Sequence, residues 1–113
     1  MEEYGYARSK TNKEKMLEVL KKFDYISDTD EFISMEERRI RHIASSRLRS
    51  LIYNNSEIEE LPAKYMSEFN LLMNPDVEYS TSDWGIYTDK MLENVDSLIS
   101  KIENEYLNKG HQR

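Results

Sequence analysis

Apolar residues spaced three and four apart recur in four separate stretches of this chain, and two of the stretches open with a reciprocal helix-capping signal. Thr11-Asn12-Lys13-Glu14 and Ser34-Met35-Glu36-Glu37 each set a hydroxyl residue three positions ahead of a glutamate. In that arrangement the hydroxyl accepts from the backbone N–H of the glutamate, and the carboxylate accepts from the backbone N–H of the capping residue. Behind the first signal, Met16, Leu17, Val19, Leu20 and Phe23 line one helical stripe. Behind the second, Ile40, Ile43, Ala44, Leu48, Leu51 and Ile52 form a broad apolar face. Ser27-Asp28-Thr29-Asp30 reads as the turn between them, because such side chains bond local backbone in competition with a helix.

Asn54-Asn55-Ser56 ends the second helix. Pro62 then suits the first position of a third, where its missing N–H costs nothing. Tyr65, Met66, Phe69, Leu72 and Met73 follow at helical spacing until Asn74-Pro75 stops the element. Residues 76–83 have no period and read as a loop. Ser82 or Asp83 caps the last helix, whose stripe runs from Trp84 through Met91, Leu92, Val95, Leu98, Ile99 and Ile102 to Tyr106. Lys109 and Gly110 make a conventional ending, a cation at the negative helix end followed by a residue free to take φ > 0. Strand-like alternation near Tyr25-Ile26 and Val77-Glu78-Tyr79 is too short to compete. The expected fold is all-α, a single-domain bundle of about four helices over 1–113, with 1–10 and 111–113 as flexible tails.

Composition removes most chemistries. The chain has no cysteine, which excludes disulfides, thiol nucleophiles and every cysteine-based metal site. It has 2 histidines and 3 glycines, too few for a multi-histidine site or a phosphate-cradling loop. Asp28-Thr29-Asp30-Glu31 has the acids of a calcium loop without its glycine, and Phe32 and Ile33 occupy later loop positions. Arg38 and His42 stand too close in sequence for an R-x₄₋₆-H ribonuclease motif. His42 reads as a solvated histidine, and no triad is present. The chain is expected not to be an enzyme and to carry no cofactor or metal. Its acidic, polar start is no leader and it has no membrane-length apolar run, so a soluble cytoplasmic protein is expected.

Charge is divided between the halves. Residues 1–50 carry 11 Lys/Arg and 10 Asp/Glu, whereas 51–113 carry 5 and 12, giving a net charge of −6 overall. On the second helix Arg38, Arg41, His42, Ser45 and Arg49 project within about 100° of one another, opposite the apolar face. Arg38, Arg41 and Arg49 are therefore the candidate nucleic-acid contacts, although net charge makes nucleic acid unfavoured as principal ligand. Arg47 falls within the apolar stripe, where it must snorkel or pair with a carboxylate. On the fourth helix Asp89, Glu93, Asp96 and Glu103 form an acidic ridge, with Lys90 and Lys101 on the other flank. Tyr4, Tyr6, Tyr79, Trp84 and Tyr87 gather near the tail and the 76–87 segment, and Tyr79 and Trp84 are candidate interface anchors.

Asn74-Pro75-Asp76-Val77-Glu78-Tyr79, followed by an acidic helix, resembles the organisation of small helical bacteriocin immunity proteins. The paired Tyr-Tyr-Pro of the nuclease-immunity group is absent, so no residue role is carried over. The expectation is a small acidic inhibitor or regulator that binds a protein with a basic surface, such as an immunity protein, an antitoxin or a phage-type inhibitor. The partner surface would be Asp89, Glu93, Asp96, Glu103, Tyr79 and Trp84. A nucleic-acid module using helix 36–50, or a structural subunit of an assembly, including a homodimer, is the alternative.

Overall fold

The computed structural model describes residues 10–74 and 84–107, with the side chains of the second span described from Lys90 onward. Four α-helices make up the fold: α1 (Asn12–Thr29), α2 (Met35–Asn54), α3 (Ala63–Met73) and α4 (Trp84–Ile102). A 3₁₀ turn, Ser56–Glu60, links α2 to α3, and a π turn, Glu103–Leu107, extends α4. No strand occurs among the described residues. The all-α bundle expected from the periodicity is the fold.

Both capping boxes are formed. Thr11 Oγ1 accepts from the Glu14 N–H at 3.1 Å, and Glu14 Oε1 accepts from the Thr11 N–H at 2.9 Å. Ser34 and Glu37 repeat the exchange at 3.1 and 3.0 Å. Helix α1 runs through the segment expected to be a turn. The Ser27 hydroxyl donates to the Phe23 carbonyl and the Thr29 hydroxyl to the Tyr25 carbonyl, both at 2.8 Å. This back-bonding occupies the side chains inside the helix, so they do not compete with it. Pro62 is the cap of α3, not its first residue. Its ψ of 152° is extended, and its carbonyl accepts from Tyr65 and Met66. The expected Lys109-Gly110 ending lies outside the described residues, as do Tyr79 and the start of the first tail.

Each helix packs chiefly on two others: α1 on α2, α2 on α4, α4 on α3, and α3 back on α1. Helices α2 and α3 are thus consecutive in the chain but separated in the bundle. The 3₁₀ turn makes the crossing while packing on α1. Ile58 and Leu61, which belong to no periodic stripe, are fully buried there, and the Leu61 carbonyl accepts from Asn12 Nδ2 at 2.7 Å. Met16, Leu20 and Phe23 meet Leu48, Ile52, Phe69, Met91, Val95 and Ile102 in a single apolar core.

The far end of α4 is tied down by tyrosines. Tyr106 donates to the Glu57 carbonyl at 2.8 Å, so the π turn is anchored on the 3₁₀ turn, and Leu107 is buried beside it. Tyr65 of α3 donates to Glu105 Oε1 at 2.7 Å. That bond to a carboxylate, with burial second, pushes the Tyr65 hydroxyl from 10.0 up to about 12.

Leu98 is 2% exposed in the heart of the α4 stripe. Leu98→Ala is expected to cost about 2–5 kcal/mol, read as a lowered chemical-denaturation midpoint. The raised Tyr65 value predicts an alkaline dependence. A folded pKa above the unfolded one stabilises the fold fully below pH 10, and that contribution is lost as pH rises from 10 towards 12. The stability gap between the native protein and Tyr65→Phe should therefore be constant through neutral pH and shrink above pH 10, measured by urea denaturation.

Candidate interaction surface

Helix α2 lies between α1 and α4, so it has two covered faces where the sequence pattern indicates one. The face that carries its arginines meets α1. Arg38 reaches past the end of α1: its Nε donates to the Ser27 carbonyl at 2.6 Å, and its Nη2 to the Asp30 and Ile33 carbonyls at 3.2 and 3.4 Å. A guanidinium here satisfies carbonyls that the helix leaves unpaired and lies at the negative end of its dipole. Arg41 is 4% exposed, with Nε on Ser27 Oγ at 2.6 Å and the guanidinium 4.0 Å above the Phe23 ring. Arg49 Nη2 meets Asp24 Oδ2 at 2.8 Å, and His42 Nε2 lies 2.7 Å from Asp28 Oδ1. The second acid of the calcium-like segment, Asp30, accepts from the Phe32 N–H through Oδ1 at 2.9 Å. Arg38, Arg41 and Arg49, the candidate nucleic-acid contacts, are therefore all engaged with α1 or the turn after it. The sequence pattern set this face opposite the core as a solvated surface; α1 covers it instead.

On the α4 side, Arg47 Nη1 donates to both carboxylate oxygens of Asp96, at 2.9 and 2.8 Å. Across α4, Lys101 Nζ meets Glu68 of α3 at 2.8 Å, a contact that raises the lysine's pKa. The sorting of charge along α4 thus matches its two neighbours: Asp96 on the acidic flank faces the arginine of α2, and Lys101 on the basic flank faces the glutamate of α3. Glu93 and Glu103 remain exposed with no ion pair among the described residues. Asp96 and Glu103 line an open groove of about 380 Å³ together with Ser46, Arg47, Ser50 and Asn54. Of the expected partner surface, Glu93, Asp96 and Glu103 are placed on the outside of the bundle. The side chains of Asp89 and Trp84, and all of Tyr79, lie outside the described residues.

Of the exposed large apolar side chains, which include Tyr53 and Leu71, the two most exposed lie together and were not indicated by the sequence pattern. Phe32 is 90% exposed and Met35 79%, at the corner between α1 and α2. Both stand off any helical stripe, so periodicity carries no signal for them; the only cue is an aromatic residue inside a polar turn. Among the described residues no three His, Asp or Glu side chains converge as a metal site requires, and no helix is long and apolar enough to cross a membrane.

Asp24 Oδ1 is buried without a hydrogen-bond partner, so the carboxylate depends on Arg49 at its other oxygen. Arg49→Ala should cost about 1–3 kcal/mol. Arg39→Ala, which breaks only the exposed pair with Glu36, should stay within about 0.5 kcal/mol. Denaturation midpoints of the two variants give the comparison, and equal midpoints would show that the α1–α2 ion pair contributes nothing.

No family model matches this chain, and no curated protein or solved structure is significantly similar to it.

Proposed function

We propose that this protein is a small acidic helical binding protein, an inhibitor or regulator of a partner protein with a basic surface. Glu93 and Glu103, with Asp96 between them, form the contact ridge. The observation that carries the reading is the distribution of unpaired charge on α2 and α4. The arginines of α2 that form its densest basic face are held against α1, whereas Glu93 and Glu103 are exposed carboxylates without an ion-pair partner among the described residues. Unpaired surface charge of one sign steers a partner of the other sign and fixes its register. An immunity protein, an antitoxin and a phage-type inhibitor are concrete forms of this role, which is non-enzymatic and cytoplasmic. A nucleic-acid role through α2 is less well supported, since Arg38, Arg41 and Arg49 would have to leave α1 to reach a phosphate backbone.

The ridge contains both a partner-facing and a fold-facing acid, and the test separates them. Asp96→Lys would place a cation against Arg47 and disturb the bundle, so the informative reversal is Glu93→Lys/Glu103→Lys. With a partner isolated by affinity purification from the native host and identified by mass spectrometry, this double variant should bind more weakly by orders of magnitude. Its melting temperature should be unchanged, as both positions are exposed. Unchanged affinity would remove the ridge from the interface. Submicromolar binding of duplex DNA or structured RNA at physiological salt, falling log-linearly as salt rises, would favour the nucleic-acid role instead.

A further inference from the structure

The corner between α1 and α2 is held more firmly than a connecting turn requires, and it displays the most exposed large apolar side chain among the described residues. We infer that it is a preorganised anchor, with Phe32 and Met35 entering an apolar pocket, rimmed by basic residues, on a protein partner. The inference rests on the protein-binding reading above but concerns a different surface.

Three layers of contact fix the backbone on either side of Phe32. Asp30 supplies the first: its carboxylate accepts from the Phe32 N–H at 2.9 Å and its carbonyl from the Ile33 N–H at 3.2 Å. Arg38 supplies the second by holding the Asp30 and Ile33 carbonyls with one guanidinium, whose Nη1 also lies 3.7 Å from Met35 Sδ. The third is the Ser34–Glu37 capping box, which locks the chain into α2 immediately after the turn. Ile33 points inward and is 7% exposed, so the segment is also pinned to the core. Between these constraints Phe32 stands 90% exposed and Met35 79% exposed.

A polar residue at position 32 would make the same turn without setting a phenyl ring in water. Aromatic residues and methionine are the types enriched where protein interfaces are fully buried. A backbone already fixed in its bound shape lowers the ordering cost of association. Charge specifies the rim of the pocket. Glu31, next to Phe32, is exposed and has no ion pair among the described residues, whereas Asp28 lies at hydrogen-bond distance from His42 and Glu36 is paired with Arg39. The unmatched charge at the tip is negative and calls for a basic rim. It also disfavours a second copy of this chain as occupant, because a two-fold contact would set Glu31 against its own counterpart.

A photo-crosslinking phenylalanine analogue substituted in turn at Phe32, at Glu93 and, as control, at exposed Lys21 tests this in the native host. The adducts are identified by mass spectrometry, and the protein identified is purified for titration. Adducts to one and the same protein from position 32, and none from position 21, are expected. In the titration, Phe32→Ala should weaken binding about thirtyfold with melting unchanged, the size of effect an anchor carries. Glu31→Lys should weaken binding most at low salt. Adducts from position 93 without any from position 32 would overturn the anchor and leave the proposed function standing. No adduct from either position would overturn both. Crosslinks only between copies of this chain, or a Phe32→Ala affinity equal to that of the native protein, would also overturn the anchor.

Discussion

Ser27 and the two arginines that converge on it hold together much of what distinguishes this bundle. The Ser27 hydroxyl donates back to Phe23 and accepts from Arg41, while its carbonyl accepts from Arg38. One residue at the end of α1 thereby binds two successive turns of α2. A buried guanidinium is tolerated only when its donors are matched and its planar face is covered. For Arg41, Ser27 takes the Nε–H and the ring of Phe23 covers the planar face. The same arrangement decides where α1 ends, how the chain turns back, and which side of α2 remains for α4.

Once α1 covers the arginine face, α2 has only its opposite side to offer, and α4 settles there with its charges matched to both neighbours. Apolar stripes alone define this packing weakly, since one stripe of Met, Leu, Val and Ile fits several rotations of the helix. The Arg47–Asp96 and Lys101–Glu68 pairs lie on opposite flanks of α4 and disfavour rotation in either sense. Exposed ion pairs contribute little stability. Their contribution here is to register, because a misplaced α4 would set like charges together.

The same interactions shape the outer surface. Matching Arg38, Arg41, Arg49 and His42 to α1 leaves little of α2 as an open cationic face. The exposed exterior keeps the acids of α4 and the pinned turn that carries Phe32. The exposed carboxylates of α4 and the exposed ring of Phe32 are the features on which the proposed binding role draws.

The helices were legible in the sequence because their determinants are local. The capping boxes at Thr11 and Ser34 act over three residues, and the stripes from Met16 to Phe23 and from Met91 to Ile102 repeat with the turn of the helix. Short-range bonding also misled: Ser27 and Thr29 carry the side chains of a turn but bond back along α1 and extend it. The role of the arginines was not legible. By helical angle Arg38 and Arg49 lie beyond the apolar arc and read as solvated, while Arg41 falls at its edge between Leu48 and Ile52; what each guanidinium meets is known only with the neighbouring helix. Ile58 and Leu61 were invisible for a related reason, being buried by a crossing of the chain and not by any period. The sequence alone thus determined four amphipathic helices and a surplus of negative charge. The tertiary structure decided which charges are matched inside the bundle and which stay free, because matching depends on the order in which the helices meet, and no spacing within one helix encodes that order.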